Sequence, residues 1–236
     1  MALTKTQIDS LIDRNCKSDS VSYPVIEKTE DENIAMARVW DIIFKSSTTW
    51  NYDDNNHDDY PVITTGLVQG QRDYTFVTDE QGNLILDIFK VTAVDKNGRF
   101  YDMLPVDIES QPGLESFYDG QNIAGQPFRY DKMANGILLD SIPSFSYPNG
   151  LKIYINREGS YFLVTDTTKM AGFAGLFHEY LALVPSWMYC KRNKMFDLAD
   201  RYERDMMTME DKITNYYSQR TKDERTRIIP KYRSSR

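Results

Sequence analysis

Leu151-Lys152-Ile153-Tyr154-Ile155-Asn156 alternates apolar with polar or amphipathic side chains one by one, which is the period of a strand with one face buried. On either side of the middle of the chain the period is different. Met36, Val39, Trp40 and Ile43 stand at i, i+3, i+4 and i+7 and form one apolar helical stripe, and Phe177, Tyr180, Leu181 and Val184 repeat helical spacing. The order is therefore helices, β module, helices. Each terminal stripe needs a partner to be buried, so the terminal helices must meet, with the β module inserted between them. The fold class expected is α+β, a helical domain built from both ends of the chain with an inserted antiparallel β module.

The alternating period holds from Pro61 to about Thr168. Asn97-Gly98, between Val91–Val94 and Phe100–Leu104, and Asn135-Gly136, between Phe128–Tyr130 and Ile137–Leu139, predict two hairpins closed by type I′ turns. Asn149-Gly150 should open the strand Leu151–Asn156. Towards the N-terminus, Ile8, Leu11 and Ile12 predict a helix from Leu3 to about Lys17, capped by Thr4 or Thr6. Asp19–Lys28 reads as a linker. A second helix should start at Thr29-Glu30-Asp31-Glu32, where negative charge suits a helix N-terminus, and fade at Ser46–Thr49. Towards the C-terminus, Pro185 is expected to kink or restart the helix. Met195, Ala199, Tyr202, Met206, Met209, Ile213 and Tyr216 then recur in steps of four and three, the seam of a helix packed along its length. The domains expected are 1–60 with 169–217 (helical), 61–168 (β) and 218–236, a basic arm.

With 236 residues, 41% of them apolar and 13% aromatic, the chain can bury a core of its own. A net charge of −7 rules out a uniformly basic nucleic-acid coat. A mean hydropathy of −0.55, and no apolar run near the ~20 residues a bilayer requires, exclude a helical membrane span. Met1–Lys5 has no signal-peptide pattern and no Asn-x-Ser/Thr sequon occurs, so secretion is not expected. Cys16 and Cys190 are the only cysteines and suit a reducing cytoplasm.

The signatures of catalysis fail one by one. His178-Glu179 begins like a zinc-binding H-E-x-x-H helix, but the second imidazole would have to replace Ala182, which leaves His178 as a helix-surface or interface residue. His57 sits among Asp53, Asp54, Asp58 and Asp59 without the glycine and glutamate spacing of a calcium loop, and a solvated acidic loop is expected. Gly120–Gly125 has P-loop glycine spacing but is followed by Gln126-Pro127 in place of Lys and Ser/Thr. No catalytic residue, cofactor or metal is expected. The strongest remaining feature is charge contrast. Arg220, Lys222, Arg225, Arg227, Lys231, Arg233 and Arg236 face only Asp223 and Glu224, a tail of +5 on a body of −12. Together with Ile228, Ile229 and Tyr232 these cations are the candidate partner-binding residues, on an arm able to reach on the order of 60 Å when extended.

Four stretches carry a resemblance: Val39-Trp40 to Thr49-Trp50-Asn51; Thr64-Thr65-Gly66-Leu67-Val68-Gln69-Gly70-Gln71-Arg72-Asp73-Tyr74; Asp166-Thr167-Thr168-Lys169 to Gly172-Phe173; and Phe177-His178-Glu179-Tyr180. Their order resembles the head-to-tail adaptor, or connector ring, proteins of tailed bacteriophages. The acidic loop Asp53–Asp59 and the stretch Pro105–Pro127 have no match in it. The resemblance implies a structural virion protein of the neck, assembled in the host cytoplasm as a homo-oligomeric ring, typically a dodecamer. The ring docks on the portal protein and joins the capsid to a downstream tail or second ring protein. Genomic DNA passes through it on ejection without sequence-specific binding, no membrane is involved, and the C-terminal arm binds the portal.

Two other readings stand beside it. The tyrosine-rich β module could read a carbohydrate or receptor through stacked aromatic faces. A metal-dependent enzyme would rest only on Asp53, Asp54, His57, Asp58 and Asp59.

Overall fold

Helical spacing at Ile8 and Ile12 becomes α1, Lys5–Cys16, in the computed structural model, which describes residues 2–46, 52–106, 124–133 and 135–219. Thr4 is the N-cap, and its amide donates to Gln7 Oε1 at 3.0 Å; Lys17 ends the helix in the left-handed conformation. α2 spans Val25–Ser46, so it starts before Thr29. Asp19 accounts for the earlier start. Its carboxylate accepts the amides of Val21 and Ser22 and closes a turn that delivers Pro24 to the helix start, where a missing amide costs nothing. Thr29 is then inside the helix, its hydroxyl donating to the Val25 carbonyl, and Lys28, Asp31 and Glu32 are buried instead of fringing an exposed N-terminus.

α3 spans Tyr180–Arg192 and runs through Pro185 as one element. The helix is buried on nearly every side over Tyr180–Ser186, and packing holds it together where one backbone bond is lost; the next residue, Ser186, donates its hydroxyl to Ala182 O at 2.6 Å. α4, Phe196–Ser218, buries Ala199, Met206, Ile213 and Tyr217, with Tyr202, Met209 and Tyr216 partly covered. α1 and α2 both pack on α3, and α4 packs on α2 and α3, around a core that includes Ile12, Met36, Trp40 and Leu181.

Between these helices the described residues form ten strands: β1 Val62–Leu67, β2 Asp73–Thr75, β3 Ile85–Val94, β4 Phe100–Asp102, β5 Leu104–Pro105, β6 Ala124–Gly125, β7 Arg129–Met133, β8 Gly136–Leu139, β9 Ile142–Pro143 and β10 Tyr147–Arg157. One sheet has the order β1-β10-β3-β4 and a second β2-β8-β7-β5, with a small β6-β9 pair; the β5-β7 and β6-β9 pairings are parallel and the rest antiparallel. Leu151, Ile153 and Ile155 point into a core with Val91, Ala93 and Ile137.

Both Asn-Gly hairpins form, but in neither do Asn and Gly make the two left-handed residues of the expected type I′ turn. At β3–β4 only Gly98 has positive φ, and Asp95 and Arg99 close a longer loop in which the Asp95 carboxylate accepts the Asn97 and Arg99 amides. At β7–β8, Gly136 is already the first residue of β8, paired with Met133 and not in the left-handed region. Asn149 has a positive φ (55°) inside β10, where the register with β1 slips between Thr65 and Leu67.

Helix takes 37% and strand 27% of the described residues, segregated along the sequence, and the fold is α+β. The two compact units divide at 52/53 and 160/161, against the 60/61 and 168/169 expected, because the Asp53–Asp59 loop is bound to the end of β10 within the β unit.

Candidate functional site

The candidate arm residues, Arg220, Lys222, Arg225, Arg227, Ile228, Ile229, Lys231, Tyr232, Arg233 and Arg236, lie outside the described residues. Its root is described. Tyr217 is fully buried near the end of α4, and its hydroxyl accepts the Ala174 amide at 3.1 Å. Its ring meets Tyr52 edge-on at 5.7 Å and Tyr216 at 5.1 Å, while Phe177 packs edge-on against Tyr216. Tyr52 in turn donates to the Gly172 carbonyl at 2.5 Å and packs on Trp40. The last turn of α4 is thus fixed by an aromatic cluster drawn from three separate parts of the helical unit, with about 0.5–1.5 kcal/mol for each ring pair beyond burial.

The acidic loop is solvated only in part: Asn55, Asn56 and Asp58 are exposed, whereas Asp53, Asp54 and Asp59 turn towards the protein. Arg157, 2% exposed at the end of β10, places Nη1 2.8 Å from Asp59 Oδ1 and 3.1 Å from Asp79 Oδ2. Its Nη2 lies 3.2 Å from both Asp53 oxygens and 2.5 Å from the Asp59 carbonyl. Asp54 is buried and accepts amides from Asn56 at 2.8 Å and Ser160 at 2.7 Å. Burial pushes the Asp53 carboxyl up, against the pull of Arg157. Burial would also raise Asp79, but bonds from Asn83 and Arg157 outweigh it and hold that carboxyl below its ordinary range. The guanidinium occupies the place among these carboxylates that a cation would take. Among the described residues no group of three or more His, Cys, Asp or Glu is arranged to hold a metal ion.

His178 is buried, not on a helix surface. It sits in the turn before α3, where the Leu3 amide donates to Nδ1 at 3.0 Å and Nε2 lies 3.1 Å from the Phe173 carbonyl. His57 Nε2 lies 3.2 Å from the Glu158 carbonyl. Both imidazoles are committed to backbone. Cys16 and Cys190 are buried and unbridged, and burial pushes the Cys16 thiol up to about 12, the opposite of what a nucleophile needs. Gly125 is strand β6, paired with Pro143 of β9.

No family model and no curated protein matches this chain. Its function has to be read from geometry. Among the described residues, two features lie open at the surface. A 520 Å³ groove lies beside β2 and β8, lined by Arg72, Tyr74, Met133 and Ile137 among others; Arg72 there already donates to the Leu139 carbonyl at 2.7 Å. The helical unit exposes large apolar residues at two ends. One end, where Tyr23 stacks on Tyr189 and Arg192 meets Asp31, exposes Val21 (85%), Ile26 and, at the start of α4, Phe196 (62%). The other end, where Leu3 meets His178 and Lys5 meets Lys169, exposes Leu163 (64%), Met170 and Leu176 (68%). No described helix is long and apolar enough to cross a membrane.

Sequence reasoning did not pick out Arg157 or Asp79. The signal was present: Arg157 follows Leu151, Ile153 and Ile155 at the same two-residue step, so an inward-facing arginine required carboxylate partners.

Proposed function

We propose that the protein is a structural subunit of a closed ring, a head-to-tail adaptor of a tailed-phage virion whose C-terminal arm fastens it to a portal. The observation that carries this reading is that different large apolar side chains lie exposed towards the two ends of the helical unit, Val21, Ile26 and Phe196 at one and Leu163, Met170 and Leu176 at the other. A two-fold dimer would need one self-complementary patch, whereas a ring needs two different patches that fit each other head to tail. Single exposed apolar residues are ordinary; several towards each of two ends are what head-to-tail contact would use. The acidic body supports a passage for DNA, since a wall that repels phosphate does not hold the genome by the salt-dependent attraction a basic wall exerts.

Native mass spectrometry and negative-stain imaging of the purified chain, alone and with its portal, test the reading. A closed ring is the expected result, and a monomer that joins no portal overturns it. Ile26→Asp with Phe196→Asp should convert rings to monomers without loss of circular dichroism, because both side chains are exposed within the subunit. Deleting residues 220–236 should abolish portal docking with little change in the circular dichroism spectrum; undiminished docking removes the arm from the mechanism.

A further inference from the structure

The Glu32 side chain is fully buried in α2, yet neither of its carboxyl oxygens accepts a hydrogen bond. Lys5 of α1, equally buried, lies closest, with Nζ 3.5 Å from Glu32 Oε2 and 2.9 Å from Asp9 Oδ2. Asp9 Oδ1 is also buried without a partner. Were both carboxyls ionised, this buried site would carry one uncompensated negative charge and three oxygens short of protein donors. A single proton removes the net charge and two of the three shortages, and leaves one Glu32 oxygen towards Lys5. Placed on Glu32, which is within hydrogen-bonding reach of Asp9, it supplies the missing donor and leaves one acid, one carboxylate and one ammonium, with no net charge.

We propose that Asp9 and Glu32 hold one proton between them, and that this proton is a pH-sensitive latch joining α1 to α2, released as the solution becomes alkaline. α1 and α2 each pack on α3, while long charged side chains, Lys5 to Glu32 and Lys28 to Asp13, span the space from one to the other. Burial first, then the charge of Asp9, push the Glu32 carboxyl up to about 9 against the pull of Lys5.

The other charged and titratable groups nearby are engaged elsewhere. Asp13 accepts Lys28 at 2.6 Å, and Asp31 is turned to Tyr23 and Arg192. On the segment beside the start of α1, Lys169 is held by Tyr161 O and Asp166, and the ring nitrogens of His178 meet the Leu3 and Phe173 backbone. On α3, Tyr180 donates to Glu210 of α4, and Cys190 pairs with Cys16 of α1.

The sign follows from proton linkage. The folded state binds the Glu32 proton more tightly than the unfolded chain, where the carboxyl titrates near 4.5. The latch therefore contributes fully below about pH 4.5, weakens as pH rises, and is gone near pH 9.

Urea unfolding of the full chain from pH 5 to 9, wild type against Glu32→Gln, reads it out. The amide supplies an N–H where the acid had an O–H and cannot ionise. Relative to the variant, the wild-type unfolding constant should rise about tenfold per pH unit up to about pH 8, the slope for one proton; all other titrating groups are common to both chains. Asp9→Asn should flatten the wild-type slope by letting Glu32 ionise beside Lys5. The infrared spectrum of the wild type at pH 7 should hold a buried carboxylic-acid band that fades towards pH 9. Parallel curves for wild type and Glu32→Gln, or no such band, overturn the proposal, and the band decides alone if the variant does not fold.

Discussion

Arg157→Met should cost about 3–5 kcal/mol of stability, the penalty for leaving buried carboxylates without their cation. The size follows from how many groups meet at one guanidinium. Asp79 is itself nearly inaccessible, and Asp53 and Asp59 are only partly exposed, so three negative charges would be left facing one another with little water to separate them. Methionine fills much of the volume, so loss of packing is a small part of the effect. The pH dependence identifies the cause. Asp79 is held below its ordinary range in the native protein, so its contribution is present above the unfolded value of 3.8 and is lost as pH falls through the lower folded one. Asn83 supplies the larger part of that lowering and stays in the variant, so only the share owed to Arg157 is lost, and the gap between wild type and Arg157→Met should narrow as pH is lowered through ~4. Chemical denaturation of both chains at pH 7 and pH 4 checks this. A gap of under ~1 kcal/mol at pH 7 would mean that the cluster relaxes into water. Because Arg157 ties Asp53 and Asp59 to the last residue of β10, amide exchange should also quicken across Asp54–Tyr60.

The α+β class was legible in the sequence because periodicity reports burial, and burial is what segregates helices from strands here. Leu151, Ile153 and Ile155 were assigned to an inner face from spacing alone. What pattern reading lost was buried charge. Lys28, Asp31 and Glu32 look like an exposed helix start, and their partners lie in α1 and α3, the latter some 160 positions away in the chain. The buried face of α2 in fact continues through them, since Lys28, Glu32, Ala35 and Val39 are spaced by four, three and four. A carboxylate on the inner face of a helix was the available sign that a charge network crosses the helical core. The same bias hid Arg157 and turned the Asp53–Asp59 loop into a wholly solvated one. The candidate arm is legible as charge contrast alone, and its residues lie outside the described ones.

Glycine was misread for a related reason, and the consequence is the second large effect. Gly136→Ala should cost about 3 kcal/mol or more and should undo the β2–β8 pairing, although the position needs no left-handed backbone. A Cβ there would lie 2.2 Å from the Tyr74 carbonyl oxygen and 3.0 Å from Thr75 Cα. Both are backbone atoms of β2, and they cannot swing aside as a side-chain tip would. Thr75 is the direct partner of Gly136 in the ladder, so any shift that relieves the clash pulls Tyr74 away from Ile137 as well. Those two residues belong to the β core, and the loss spreads from one contact to the packing of the second sheet. The Asn-Gly dipeptide suggested a turn glycine with positive φ; the pairing shows a glycine kept small so that two strands can approach. The two explanations separate experimentally. If the turn were the reason, exchange would quicken only at the β7–β8 loop. If close approach is the reason, amide protection should fall at Tyr74, Ile137 and Leu139, while Gly98→Ala, with its positive φ and only a tyrosine hydroxyl nearby, should leave those amides protected.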